Sequence, residues 1–351
     1  MNLRIKRAID IYKNYVSKQT EIIDDLPKSY SIEPTNYCNL KCPACSTLYI
    51  EDKKRYLRIE DFRFIAQQIP KGSYIYFFHF GEPFLNPNII DLIKEAKKLG
   101  HNIGIHSNFN FKPFLIPQIV NSGLDFLSAS IDGTTKEVYD KFRFNGNFEL
   151  AWSNFVELAK LRDKANGSPK ELIWQFVVTK YNENDIENAR RIASELPNIR
   201  FATCPIGLRE DVIDFAQYSK EELEELKEYW LPVNKKYIKK SFLTDDAYPI
   251  IEDRNCPFLF ETMLISVNGT VTPCCYTYKK EHSFGNIYES SLKEIWNNEK
   301  YVSSRKLFLD KNFNNSKTIC TKCKNYTRNG NPSLLQRNIN FLKFLSSKIF
   351  K

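Results

Sequence analysis

The sequence predicts an α/β fold built on a parallel sheet, followed by a smaller cysteine-rich part. Three observations predict it. Strand-like and helix-like runs alternate in six β–α units between residues 29 and 205. The strand-like runs are near-continuously apolar, as strands buried on both faces must be. Five of the nine cysteines fall after residue 255.

Bulk properties agree. A chain of 351 residues suits one large domain plus a smaller one. Apolar residues at 42% and aromatics at 14% are enough for a packed interior. No apolar run is long enough for a membrane helix. The opening "MNLRIKRAID" has no apolar signal core, so a cytoplasmic protein is expected. Nine cysteines in a reducing compartment read as metal ligands rather than disulfides. The net charge of +9 favours anionic partners without selecting among phosphorylated substrates, acidic proteins and nucleic acid.

The elements follow in order. An amphipathic helix is expected over 3–24, in an extension covering 1–28. Strands are expected at 29–35, 73–80, 102–107, 124–132, 172–180 and 199–205. Helices are expected at 58–69, 88–100 (stopped by Gly100), 113–123, 134–143, 147–165 and 184–196. Residues 206–255 form a connecting region with a helix over 219–230, where Ser219 and Glu222 have capping-box spacing. "ISVNGTVTP" reads as a hairpin turning at Asn268-Gly269, and it delivers Cys274 and Cys275 at the end of its second strand. A turn and helix follow over 284–296, the cysteine-rich part covers 256–326, and 332–351 reads as a basic amphipathic helix within a tail from 327. That helix would dock on the protein itself, or make a weak membrane-surface or protein contact.

In parallel α/β sheets the chemistry collects at the carboxyl ends of strands. "CNLKCPAC" follows the first strand, with Cys38, Cys42 and Cys45 in C-x-x-x-C-x-x-C spacing. Three thiolates fill three corners of a four-iron cluster and leave one iron without a protein ligand. A structural zinc would want a fourth ligand, for which His79 is the candidate. "GEP" at 81–83 follows strand two, Ser107 and Asn108 end strand three, Ser130 and Asp132 end strand four, and Cys204 ends strand six. His79 and His106 read as packing residues outside the site.

"EPTNYCNLKCPAC", "FGEPFLNP" and "GLDFLSASIDGTTKEVYDKFR" resemble the radical S-adenosylmethionine (SAM) superfamily over residues 29 to about 205. The resemblance implies a partial (β/α)6 barrel. It implies a [4Fe-4S] cluster on Cys38, Cys42 and Cys45, with SAM as the missing ligand, and a 5′-deoxyadenosyl radical that abstracts hydrogen from a substrate. Carried over by motif, Gly81, Glu82 and Pro83 approach the methionine of SAM, with Glu82 accepting from its ammonium. Ser130 and Asp132, on one strand face, reach ribose hydroxyls. Arg143, on the following helix, holds the carboxylate, and Ser107 is a further contact. Ala44 stands where many members have an aromatic residue, so adenine packing falls to the backbone of Val177 and Val178.

The pattern of Cys256, Cys274-Cys275 and Cys320-x-x-Cys323 resembles the SPASM or shorter twitch extension, a small C-terminal α+β cluster-binding domain. It implies one auxiliary cluster, a [4Fe-4S], on Cys256, Cys274, Cys320 and Cys323, with Cys274 favoured over Cys275; a structural zinc is the alternative. The leading expectation is oxidation or epimerisation of a small sugar-like or anionic metabolite, with an electron donor such as flavodoxin or ferredoxin. A maturase acting on a peptide or protein side chain is the alternative, ranked lower because about thirty N-terminal residues are few for a peptide-recognition domain. A cluster-binding nucleic-acid protein without catalysis is the third. Cys204 is a candidate hydrogen donor to a substrate radical, against the plainer reading of a buried small apolar residue.

Overall fold

The computed structural model describes residues 20–50, 53–208, 219–238, 256–310 and 313–323. The helix expected over 332–351, and that over 3–24 except for 20–24, lie outside them. Residues 20–22 and 24 form bends, with no helix over 20–24.

One nine-stranded sheet organises the chain in the order β6-β5-β4-β3-β2-β1-β7-β8-β9. The first six strands are parallel neighbours in sequence order: β1 (Ser29–Ile32), β2 (Tyr74–Phe77), β3 (Asn102–Ser107), β4 (Phe126–Ser130), β5 (Glu171–Val178) and β6 (Ile199–Pro205). Sequential parallel order is what right-handed helical crossovers produce. No pairing returns β6 to β1, so the row is open, as in a partial barrel.

The crossover helices are amphipathic and turn their apolar faces to the strands. α1 (Ile59–Ala66) buries Phe62 and Ile65. α2 (Ile89–Lys98) buries Ile89, Ile90, Leu92, Ile93 and Ala96, and ends at Gly100 with φ 86°. A glycine takes that left-handed conformation without the Cβ penalty. α3 (Ile116–Val120) follows a single 3-10 turn at Pro113–Leu115. α4 (Lys136–Asp140) is capped by Thr135, and α5 (Phe148–Ala165) by Asn147. α6 (Ile186–Glu195) precedes β6. α7 (Lys220–Trp230) has the expected capping box, with Ser219 Oγ accepting from Glu222 N and the Glu222 carboxylate accepting from Ser219 N.

The cysteine-rich part is fused to the barrel. After α8 (Pro257–Phe260), β7 (Thr262–Ile265) pairs in parallel with β1, residue for residue from Ser29↔Thr262 to Ile32↔Ile265. β8 (Thr270–Thr272) returns antiparallel through the Asn268-Gly269 turn, with Gly269 at φ 82°, and β9 (Gly285–Asn286) completes the sheet. β8 ends at Thr272, before Pro273, so Cys274 and Cys275 sit in the following turn rather than on the expected strand end. α9 (Leu292–Trp296) and α10 (Glu299–Leu309) cover this end. One hydrophobic core runs from α1–α6 through Tyr30 and Ile32 of β1 to Trp296, Tyr301 and Phe308. A second small cluster joins Phe142, Ile206, Leu208 and Trp230. Among the described residues no helix is long and apolar enough to cross a membrane.

Candidate active site and auxiliary cluster site

A cavity of about 310 Å³ opens at the carboxyl ends of the parallel strands. The loop after β1 brings Cys38, Cys42 and Cys45 to its wall. Local geometry builds that loop. Thr35 Oγ1 accepts from Tyr37 N at 3.1 Å and donates to Arg55 O at 2.7 Å. Lys41 N donates to Phe144 O at 2.8 Å, and Cys45 N donates to Cys42 O at 3.0 Å, closing the C-x-x-C turn. Donors surround the sulfurs. Cys38 Sγ accepts from Leu40 N at 3.4 Å and Asn108 Nδ2 at 3.7 Å. Cys42 Sγ accepts from Arg143 Nη1 at 3.7 Å. Burial pushes the Cys38 thiol up to about 12, with Glu82 adding to it, and raises that of Cys42 against the opposing charge of Arg143. Thiols so buried are stable as thiolates when a metal supplies the compensating charge. N–H donors aimed at sulfur suit an anionic cluster, so this set fits the three-cysteine site.

Glu82 is buried beside it. Its carboxylate accepts from Ser107 Oγ at 2.8 Å, Phe84 N at 3.2 Å and Asn108 N at 2.7 Å. Burial raises its pKa to about 7 against these hydrogen bonds. Gly81 has φ 74°, and a Cβ there would lie 2.2 Å from Thr35 O and 2.8 Å from Tyr37 O. Only glycine allows the β1 loop and the loop after β2 to touch backbone to backbone.

The structure redistributes several expected roles. Gly81, Glu82, Ser107, Ser130, Arg143, Val177 and Cys204 line the cavity; Pro83 and Asp132 do not. Pro83 starts a 3-10 turn and is buried in packing. Asp132 is fully buried and has both oxygens engaged: Oδ2 accepts from Arg143 Nε at 2.6 Å and Oδ1 from Val177 N at 2.7 Å. It therefore orients Arg143 instead of reaching a ribose. Arg143 lies in the turn after α4 rather than on the helix. The Val177 backbone is committed to Asp132 and, through its carbonyl, to Asn182 Nδ2 at 2.9 Å. Val178 faces the core on the other side of the strand. An apolar wall of Ala44, Phe142, Val177 and Ile206 stands where adenine packing was expected from backbone. Cys204 Sγ donates to Pro205 O at 3.5 Å.

Sequence reasoning missed His79 and His106, which both line the cavity. His106 follows from alternation: Ile103 and Ile105 face the core, so His106 faces inward, where it packs on Phe78 at 5.1 Å between ring centroids. His79 is buried with neither ring nitrogen hydrogen-bonded, and Nδ1 lies 4.0 Å from Glu33 Oε1. Desolvation lowers its pKa to about 3, so the ring is neutral.

At the other end of the sheet the second set assembles. Cys256 caps α8, Cys274 follows β8, and Cys320 lies within a 3-10 turn (Ile319–Lys322) that Cys323 ends, with Cys323 N donating to Cys320 O at 3.1 Å. This repeats the turn of Cys42 and Cys45. Burial raises the thiols of Cys256 and Cys274 well above the ordinary value, and the neighbouring thiols add to it, with Cys320 acting on both. Cys320 is held up at about 11 by burial, although the hydroxyls of Ser304 and Thr318 hydrogen-bond to it. Cys274 is buried and Cys275 half-buried. Among the described residues no three His, Cys, Asp or Glu side chains are gathered tightly enough for a single metal ion. Cys275 acts most strongly of the thiols on Cys274, followed by Cys320 and Cys256, and Cys323 acts on Cys256, so all five thiols are neighbours and these influences do not choose between Cys274 and Cys275 as a ligand.

The chain is similar to several known proteins. The chain is 26% identical over 318 residues to the tungsten-containing aldehyde ferredoxin oxidoreductase cofactor-modifying protein of Pyrococcus furiosus, covering 83% of this chain and 86% of that one. It is 25% identical to the PqqA peptide cyclase of Gluconobacter oxydans, covering 77% and 76% respectively. Among solved structures it resembles Streptococcus suis SuiB bound to S-adenosylmethionine, with a TM-score of 0.58 at 16% identity over 94% of this chain and 77% of that chain. The sequence model of the radical SAM superfamily matches residues 32–162, and that of the SPASM iron–sulfur cluster-binding domain matches 256–324. The chain is a radical SAM enzyme with a C-terminal SPASM domain.

Proposed function

We propose that this enzyme abstracts hydrogen from a peptide or protein side chain. The observation that carries the reading is the charge inventory of the cavity. Its ionisable lining, besides the three thiols and Cys204, is Glu82, Arg143, His79 and His106. Arg143 is already paired with Asp132, and the two imidazoles are neutral or set among aromatic rings. With the free edge of Arg143 given to the carboxylate of SAM, the wall offers, among the described residues, no further Lys or Arg for a phosphate or carboxylate substrate. Phe78, Phe142 and Ile206 offer apolar surface instead. The likeness to a relative named as a peptide cyclase supports this over the small anionic metabolite.

The bound cluster and SAM supply hydrogen-atom abstraction by a 5′-deoxyadenosyl radical. The chain's residues do the rest in this reading. Cys38, Cys42 and Cys45 hold the cluster. Glu82 receives the ammonium of SAM, and Arg143, steered by Asp132, receives its carboxylate as a planar fork. Ser107 positions Glu82, and Gly81 lets backbone approach. Val177 and its apolar neighbours shield the radical from water. Ser130 and Cys204 face the remaining space; in the epimerisation alternative the Cys204 S–H would give its hydrogen atom to the substrate radical, and the thiyl radical left behind would be restored by one electron from the auxiliary cluster and a proton from solvent. Cys256, Cys274, Cys320 and Cys323 hold the auxiliary cluster. A flavodoxin or ferredoxin supplies the reducing electron.

The test is anaerobic turnover with dithionite and SAM against short peptides encoded beside the gene. The expected result is 5′-deoxyadenosine formed together with a peptide lighter by two hydrogens. Peptide-independent turnover of a sugar-like metabolite would overturn the reading. Cys204→Ala separates oxidation from epimerisation, because only an epimerase loses its product while still cleaving SAM.

A further inference from the structure

α10 carries Tyr301, Ser304 and Arg305 at i, i+3 and i+4, on one face of the helix. That face turns toward the auxiliary thiols. Ser304 hydrogen-bonds to Cys320, and the Tyr301 hydroxyl interacts electrostatically with Cys320, Cys256 and Cys274. The Tyr301 hydroxyl is fully buried and has no hydrogen-bond partner. Its surroundings share the feature. Trp296, 4.7 Å away between ring centroids, has a buried Nε1 without an acceptor. Arg305 lies 4.3 Å over the Trp296 ring and 5.1 Å over the Tyr301 ring. Its Nε donates to Leu259 O at 2.8 Å, and its Nη1 to Asn297 Oδ1 at 3.0 Å and Glu21 O at 3.1 Å, but Nη2 is buried without a partner. Among the described residues no carboxylate pairs with this guanidinium. Burial lowers its pKa to about 10, so it is charged at neutral pH.

An orphaned hydroxyl beside three thiols, backed by a second orphaned donor and a guanidinium with no carboxylate partner, is the complement of a group that only accepts and is negatively charged. We propose that the Tyr301 hydroxyl donates a hydrogen bond to a sulfur of the auxiliary cluster, with Arg305 as the buried counter-charge behind it. Together they raise the cluster's reduction potential and suit it to accept an electron. No covalent bond changes; the device shifts a one-electron equilibrium. The inference rests on the auxiliary cluster being iron–sulfur.

The experiment is a redox titration of the anaerobically reconstituted holoenzyme, followed by electron paramagnetic resonance. The first cluster, identified by its response to SAM, is the internal reference. In Tyr301→Phe the reduced-to-oxidised ratio of the auxiliary cluster should fall about tenfold at the wild-type midpoint, a 59 mV shift for one electron, with the first cluster unmoved. In the wild type, pulsed resonance of the reduced auxiliary cluster should detect a coupled proton that disappears in heavy water. That second measurement needs no variant to fold. Iron present with an unmoved midpoint, or no exchangeable proton in the wild type, overturns the inference alone. Zinc in place of iron overturns it together with the reading beneath it.

Discussion

Replacing Asp132 by Asn breaks the ion pair that aims Arg143. The pair is close and almost dry: Oδ2 to Nε is 2.6 Å, with side-chain exposures of 0% for Asp132 and 11% for Arg143. Asparagine keeps the shape and can still accept from Val177 N through one oxygen. Its amide nitrogen then faces the guanidinium, donor against donor, and leaves a buried cation unpaired. Breaking a buried pair on one side costs about 3–5 kcal/mol. Screening is small because water is excluded from both groups. For a chain of 351 residues the melting temperature should fall by about 4–7 °C. Arg143 also donates to Cys42, so the first cluster should be lost at lower chelator concentration. The assay is anaerobic thermal unfolding with iron release followed in parallel. Arg143→Met in the Asp132→Asn background should recover at least half the stability, since it removes the uncompensated charge, while SAM binding stays weak. A loss below about 1 kcal/mol, or a double variant whose loss is the sum of the two singles, would refute the argument that the pair is buried and coupled.

Other outcomes follow from particular contacts. Gly81→Ala should destabilise by at least ~3 kcal/mol because its Cβ would sit 2.2 Å from Thr35 O, whereas Gly100→Ala, with open space around it, should cost only the ~1–2 kcal/mol of a left-handed backbone; parallel urea unfolding separates them. Glu82, held near 7 in the folded chain against an ordinary 4.5, contributes stability that is complete below about pH 4.5 and lost as pH rises through 7, roughly 3 kcal/mol in all. In the proposed role an ammonium from SAM stabilises the carboxylate, so SAM should bind more tightly as pH rises from about 5.5 to 8 with proton release near 7, and Glu82→Gln should flatten both curves in calorimetry. Cys320→Ser with Cys323→Ser should remove about half the iron and loosen the C-terminal part, yet leave SAM cleavage intact, as measured by iron content and 5′-deoxyadenosine yield.

The sequence alone determined the parallel order and most strand positions. Apolar runs 4–8 residues long, separated by amphipathic helices, admit few other arrangements. The strands over 102–107 and 199–205 fall where the pattern put them, and the capping box at Ser219 and Glu222 is present atom for atom. Such features are local, so they are written in neighbouring residues. The roles within the cavity are not local. Asp132 and Ser130 are two apart and read as sharing a strand face, but β4 ends at Ser130, and only packing reveals that Asp132 is spent on Arg143 and Val177 while Ser130 reaches the cavity. His79 reads as a packing residue until its neighbours are known, because a missing hydrogen-bond partner has no signature in sequence. Pro273, just past β8, could have warned that Cys274 would leave the strand. Nothing in the sequence said that β7 would pair with β1 and fuse the cysteine-rich part to the barrel. Strand pairing across more than two hundred residues is chosen by the edge left open when β6 fails to close on β1, and that edge exists only once the other strands are in place.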